Sequence, residues 1–105
     1  MVLVTGATGN NGVELTKLLA AQGVSVRAMV RSADRATAIA GVARVEIVEG
    51  DFDDSKSVER ALNGVEKAFL LTNSSERAEV QQCTFMDIAR RSGLALIVKL
   101  TARRR

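Results

Sequence analysis

The chain predicts an α/β fold, a doubly wound parallel sheet of about five strands in the order 3-2-1-4-5 with helices on both faces. Three observations predict it. Short β-branched runs alternate with segments of helical period along the whole chain. Each helical segment is closed by a glycine, which terminates helices through its freedom to adopt positive φ. The first strand runs directly into a glycine-rich turn that opens the first helix. Strict alternation demands crossover connections, and right-handed crossovers place helices on both sides of the sheet.

Each element follows from its own residues. Val2-Leu3-Val4-Thr5 is a compact strand. Residues 11–22 form a helix with Val13, Leu15, Leu18 and Leu19 at helical spacing, stopped by Gly23. Val24 to Val30 is the second strand. Residues 34–40, DRATAIA, form a short Ala-rich helix ended by Gly41, with Asp34 placed to cap it. Val45 to Val48 is the third strand. Asp53-Asp54-Ser55 offers capping side chains for a helix through Leu62, closed by Asn63-Gly64. Lys67 to Leu71 is the fourth strand. Asn73-Ser74-Ser75 starts a long helix to about Ser92, with Phe85, Met86 and Ala89 on an inward stripe. Leu94 to Leu100 is the fifth strand.

Composition narrows the chemistry. The 105 residues are one domain in size, read as a body over residues 1–102 and a basic tail over 103–105. There is no His, Pro, Trp or Tyr and a single Cys. Zinc sites, disulfides, His-based nucleophilic catalysis and a tyrosine general acid are therefore excluded for this chain, and no metal site is expected. The net charge of +3 is supplied by Arg103, Arg104 and Arg105 alone. A basic tail on a neutral body, with only Phe52, Phe69 and Phe85 as aromatics, argues against nucleic-acid binding. No apolar run is long enough to cross a membrane. Cys83, at helical spacing with Met86, is expected to serve packing, and its solitude suits a reducing compartment such as the cytoplasm.

The most informative stretch is Thr5-Gly6-Ala7-Thr8-Gly9-Asn10-Asn11-Gly12. Gly6 permits the tight turn out of the strand. Gly9 removes a side chain where a pyrophosphate must approach the backbone. Gly12 lets the helix pack closely on the sheet. The free N–H groups of the helix start then face the phosphates. This arrangement, a strand–turn–helix opening a βαβ unit, predicts dinucleotide binding.

The end of the second strand selects among dinucleotides. An acidic residue there binds ribose hydroxyls, whereas an Arg accommodates a 2′-phosphate. This chain carries Val30-Arg31-Ser32. Arg31 can pair with a phosphate bidentately, and Arg27 and Arg35 are expected to add positive field. NADP(H) is the preferred cofactor and NAD(H) the alternative. After the third strand, Asp51 lies at the carboxyl edge of the sheet, where a carboxylate and a backbone N–H can read an adenine edge. Asp53 and Asp54 read as turn and capping residues.

On these residues the chain resembles the short-chain dehydrogenase/reductase superfamily, specifically its NmrA-like, atypical branch. The Thr5–Gly12 spacing carries the resemblance, supported by Met29 to Ser32, Gly50-Asp51-Phe52, Ala61 to Val65, Phe69 to Thr72 and Ile97 to Ala102. The resemblance implies that Gly6, Thr8, Gly9, Asn10 and Asn11 line the pyrophosphate turn. It implies that Arg31 meets the 2′-phosphate, Asp51 and Phe52 flank the adenine, and Leu71 and Thr72 approach the riboses. Thr101 falls where the superfamily places a catalytic Ser. The superfamily's Tyr-x-x-x-Lys pair is absent, and no catalytic residue is assigned.

The resemblance therefore implies the cofactor half of an NADP(H)-dependent oxidoreductase, without the substrate region and not catalytic alone. The alternative it allows is a non-catalytic dinucleotide-sensing or interaction module. A third reading is a truncated reading frame. With the fifth strand last, the edge from Ala95 to Leu100 is expected to pair with another copy or lie under the Arg-rich tail.

Overall fold

The computed structural model describes residues 1–6, 10–32, 34, 36–72 and 76–101. Ala7, Thr8 and Gly9 of the glycine turn, Arg35 and the tail lie outside the described residues. Five strands, β1 (Val2–Thr5), β2 (Val26–Val30), β3 (Val45–Glu49), β4 (Lys67–Thr72) and β5 (Leu96–Thr101), form one parallel sheet in the order β3-β2-β1-β4-β5. The expected topology is the observed one. Helices α1 (Asn10–Ala21), α2 (Ser55–Leu62) and α3 (Glu76–Arg91) connect them.

The strands are buried on alternate sides, which produces two cores. On one face Leu3, Met29, Ala68 and Leu70 pack against Val58, Ala61 and Leu62 of α2 and Phe85, Ile88 and Ala89 of α3. On the other face Val4, Val26, Ala28 and Val30 meet Ala36, Ile39 and the α1 residues Val13, Leu15 and Leu19. Two-sided burial explains why the inner strands read as apolar runs rather than alternating ones.

Most of each expected helix stripe packs inward, Val13, Leu15 and Leu19 on α1 and Phe85 and Ala89 on α3, but single residues depart from it. In α1 the buried residues are Gly12, Thr16 and Ala20, spaced four apart, while Leu18 is 57% exposed. Leu18 lies about 200° around the helix from Thr16, so hydrophobic identity alone misplaced it. In α3 the inward set is Phe85, Ile88 and Ala89, and Met86 faces outward. Cys83 is exposed rather than packed, because it sits two residues before Phe85 and thus off the inward stripe.

The expected helix over 34–40 is also corrected. Among the described residues of this segment Asp34 lies in 3₁₀ conformation, and a separate turn is held by bonds from the Ala40 and Ile39 amides to the Ala36 carbonyl, 2.9 and 3.1 Å. Gly41 ends it at φ +78°. A single turn already buries Ala36 and Ile39 against the sheet. So short a segment gains too few further hydrogen bonds to offset the cost of helix nucleation.

Thr16 is an internal inconsistency of the α1 interface. Its hydroxyl is fully buried and has no hydrogen-bond partner among the described residues. A hydroxyl so placed forgoes its water bonds, at a cost of about 1–3 kcal/mol.

Candidate functional site

All five strands point their carboxyl ends the same way, so every candidate site residue after a strand falls on one edge of the sheet. The chain leaves β1 toward β2 on one side, and β4 lies on the other. The gap between β1 and β4 is the topological switch point, where ligands of doubly wound sheets bind. Thr5 stands at that gap, fully buried, with its hydroxyl 3.3 Å from the Phe69 carbonyl of β4. Gly6 follows at φ +65°, the left-handed conformation that the tight turn requires. α1 then begins at Asn10, so the backbone of Asn10 and Asn11 opens the helix, and Gly12 is buried in its first turn.

Arg31 and Asp51 converge at the other side of this edge. Val30 pairs with Glu49, and the Gly50 amide continues the ladder with a 2.8 Å bond to the Val30 carbonyl. Arg31 and Asp51 therefore leave neighbouring strands within a residue of the same level, and both side chains are exposed. Leu71 and Thr72 close β4, with Thr72 opposite Thr101 of β5.

Asp51 belongs to a tightly bonded turn. Its Oδ1 accepts the Asp53 amide at 2.9 Å, and its carbonyl accepts the Asp54 amide at 2.9 Å. Asp54 caps α2 by accepting the Lys56 amide at 3.2 Å. The expected turn and capping roles of Asp53 and Asp54 are thus the ones they hold. Phe52, half-buried, packs its ring against Phe85, centroids 5.9 Å apart at 74°.

Two features of this turn escaped the sequence reading. Gly50 is buried against Met29, and a Cβ built on it would lie 2.8 Å from Sδ and 2.9 Å from Cγ. Glycine thus lets the chain cross Met29 as it leaves β3. Ser57, buried on α2, bonds back to Asp51 through its hydroxyl. Neither contact is local enough to be visible from spacing.

Arg27 is removed from the phosphate edge. It lies at the amino end of β2, four residues and roughly 13 Å of strand from Arg31. Its Nη1 donates to the carbonyls of Ala61 and Asn63, 2.8 and 2.6 Å away, and its Nε sits 3.4 Å from Glu46. Arg27 is thus the C-terminal clamp of α2. Arg35 lies outside the described residues. Among the described residues no cluster of three His, Cys, Asp or Glu could hold a metal ion, and no helix is long and apolar enough to cross a membrane.

The edge therefore combines a left-handed glycine, a helix start at the switch point, an exposed guanidinium and an exposed carboxylate. These are the backbone donors and charges that a dinucleotide phosphate and an adenine require. The sequence profile of the NAD(P)H-binding family matches residues 6–103. The chain belongs to that family. This NAD(P)H-binding domain is similar to sterol demethylase protein B of Methylococcus capsulatus, 37% identical over 91% of the chain and 32% of that protein. It is similar to the (4-alkanoyl-5-oxo-2,5-dihydrofuran-3-yl)methyl phosphate reductase of Streptomyces griseus, 38% identical over 96% of the chain and 34% of that protein. The NAD(P)H-binding domain superposes on the NADPH-dependent quinone oxidoreductase of Escherichia coli complexed with NADPH. The TM-score is 0.84 at 28% identity, covering 94% of this chain and 36% of that one. Triphenylmethane reductase of Citrobacter complexed with NADP(H) gives a TM-score of 0.80 at 28% identity, with the same coverage. The chain spans about a third of the length of these relatives.

Proposed function

We propose that this domain binds NADP(H) and supplies the cofactor half of an NmrA-like reductase. The observation that carries the reading is Arg31, exposed at the carboxyl end of β2 where a ribose-binding acid would select NAD(H). Asp51 and Phe52 would flank the adenine, Gly6 to Gly12 the pyrophosphate, and Leu71 and Thr72 the riboses. The residues fit the cofactor: Gly6 takes the required conformation and both charged groups are solvent-accessible. When bound, the nicotinamide supplies the hydride chemistry, and the chain's own residues bind and orient it. The glycine spacing and Gly50-Asp51-Phe52 support the NmrA-like placement, and the NADPH and NADP(H) complexes of the two superposed reductases support NADP(H).

Calorimetric titration of NADPH and NADH tests this reading. NADPH is expected to bind more tightly, and Arg31→Met to lower the NADPH/NADH affinity ratio by about tenfold, the worth of one charge-assisted bond. The loaded chain is expected to leave quinone, dye and carbonyl acceptors unreduced. Affinity for neither dinucleotide, or robust NADPH oxidation, overturns the proposal.

A second element of the reading concerns β5. Among the described residues it is the last strand of the sheet and pairs with β4 alone, and it carries Leu96 at 48% exposure. An apolar edge strand presents unpaired backbone groups that a second copy can satisfy. Self-association through β5 is expected in sedimentation velocity as a dimer that Leu96→Lys weakens. A monomer at all concentrations contradicts it.

A further inference from the structure

We infer that Ser57, a residue of α2 that faces the core, is a positioning residue for adenine recognition by Asp51. The inference rests on the proposed dinucleotide site and adds to it the element that holds its carboxylate in place. Ser57 is 6% exposed. Its Oγ accepts the Asp51 amide at 3.0 Å and lies 2.7 Å from the Asp54 carbonyl and 3.1 Å from the Asp51 carbonyl. A serine hydroxyl has one proton and two lone pairs, so it can accept from Asp51 and donate to Asp54 at once. One buried side chain thereby ties both ends of the turn from Asp51 to Asp54.

The consequence for Asp51 is geometric. The turn engages its Oδ1 in the bond to the Asp53 amide, which restrains the rotation of the carboxylate. The side chain is exposed, and no described group bonds Oδ2. That oxygen is the acceptor available to the exocyclic amine of adenine. At the start of the turn, Gly50 lets the backbone pass close over Met29, where any larger residue would meet Sδ and Cγ. A binding group aimed by buried neighbours loses less freedom on binding than a mobile one. Without the Ser57 hydroxyl the Asp51 amide has lost its acceptor, and the carboxylate is no longer aimed from the helix.

The test reads base selectivity rather than affinity alone. Hypoxanthine carries a carbonyl where adenine carries the amine, so a carboxylate acceptor discriminates between them. NADPH and its nicotinamide hypoxanthine analogue are titrated into the full chain by calorimetry. The wild type is expected to prefer NADPH by about tenfold, and Ser57→Ala to reduce that preference to about twofold. Ser57→Cys keeps the volume and bonds weakly, and is expected to move the ratio the same way. Arg27→Met, at the opposite end of the sheet, lowers stability and is expected to leave the ratio unchanged. A variant that merely destabilised the fold would lower both affinities together. A wild-type preference that survives both Ser57 variants overturns the positioning role alone. A wild type that binds both dinucleotides equally overturns adenine reading by Asp51, and with it the role of Ser57. A wild type that binds neither removes the dinucleotide site itself.

Discussion

Arg27→Met is expected to lose about 2–4 kcal/mol of stability, measured as a shift of the urea unfolding midpoint. The guanidinium serves two carbonyls that the end of α2 leaves without helical donors, those of Ala61 and Asn63. Its positive charge also faces the negative end of the helix dipole. The side chain is 15% exposed, so water cannot fully take its place. The Glu46 contact adds little, because Glu46 is 53% exposed and the pair is screened. Arg27→Lys is expected to recover less than half of the loss. An ammonium has donors enough for both carbonyls, but it is more strongly hydrated and lacks the planar guanidinium that aims the two Nη1 protons at them. An unfolding midpoint indistinguishable from wild type would show that the clamp is ornamental.

Phe85→Ala is expected to lose about 3–5 kcal/mol, the usual range for deleting a buried aromatic ring. Phe85 is the largest fully buried side chain of the described residues and joins α3 to α2, β4 and the turn after β3. Its edge-on contact with Phe52 is worth about 0.5–1.5 kcal/mol beyond area, and a Phe52→Ala/Phe85→Ala cycle measures it as a coupling energy. Because a domain of this size is stable by only about 5–15 kcal/mol, Phe85→Ala leaves it marginal. Phe85→Leu, which keeps most of the volume, is expected to cost under about 1.5 kcal/mol. A Phe85→Ala loss below about 1 kcal/mol would mean that the cavity closes and that α3 is not anchored there.

Much of the fold was legible because it rests on local rules. β-branched runs, helical spacing and terminating glycines placed five strands and three helices to within a few residues. Topology followed from crossover handedness. What failed was the placing of single residues and one helix. Leu18, Met86 and Cys83 are apolar residues on the wrong side of their helices, and periodicity cannot choose between stripes that differ by one residue. The Ala-rich 34–40 segment has helix-forming residues, but packing asks of it a single turn.

The candidate site divides along the same line. Gly6, Gly12, Arg31 and Asp51 follow strand ends, so their position on the carboxyl edge was readable from the chain once the strands were. By itself the sequence determined the parallel sheet, the edge at which its site residues gather, and the dinucleotide chemistry those residues imply. Only the tertiary structure decided that Arg27 clamps α2 instead of adding to a phosphate field. It also decided that Ser57 ties the turn bearing Asp51 and that Gly50 lets that turn pass over Met29. The physical reason is that a strand's end is set by local backbone pattern, whereas the partner of a long or buried polar side chain is set by what packing brings beside it. Arg27 and Ala61 are 34 residues apart in the chain, and 2.8 Å apart at the clamp.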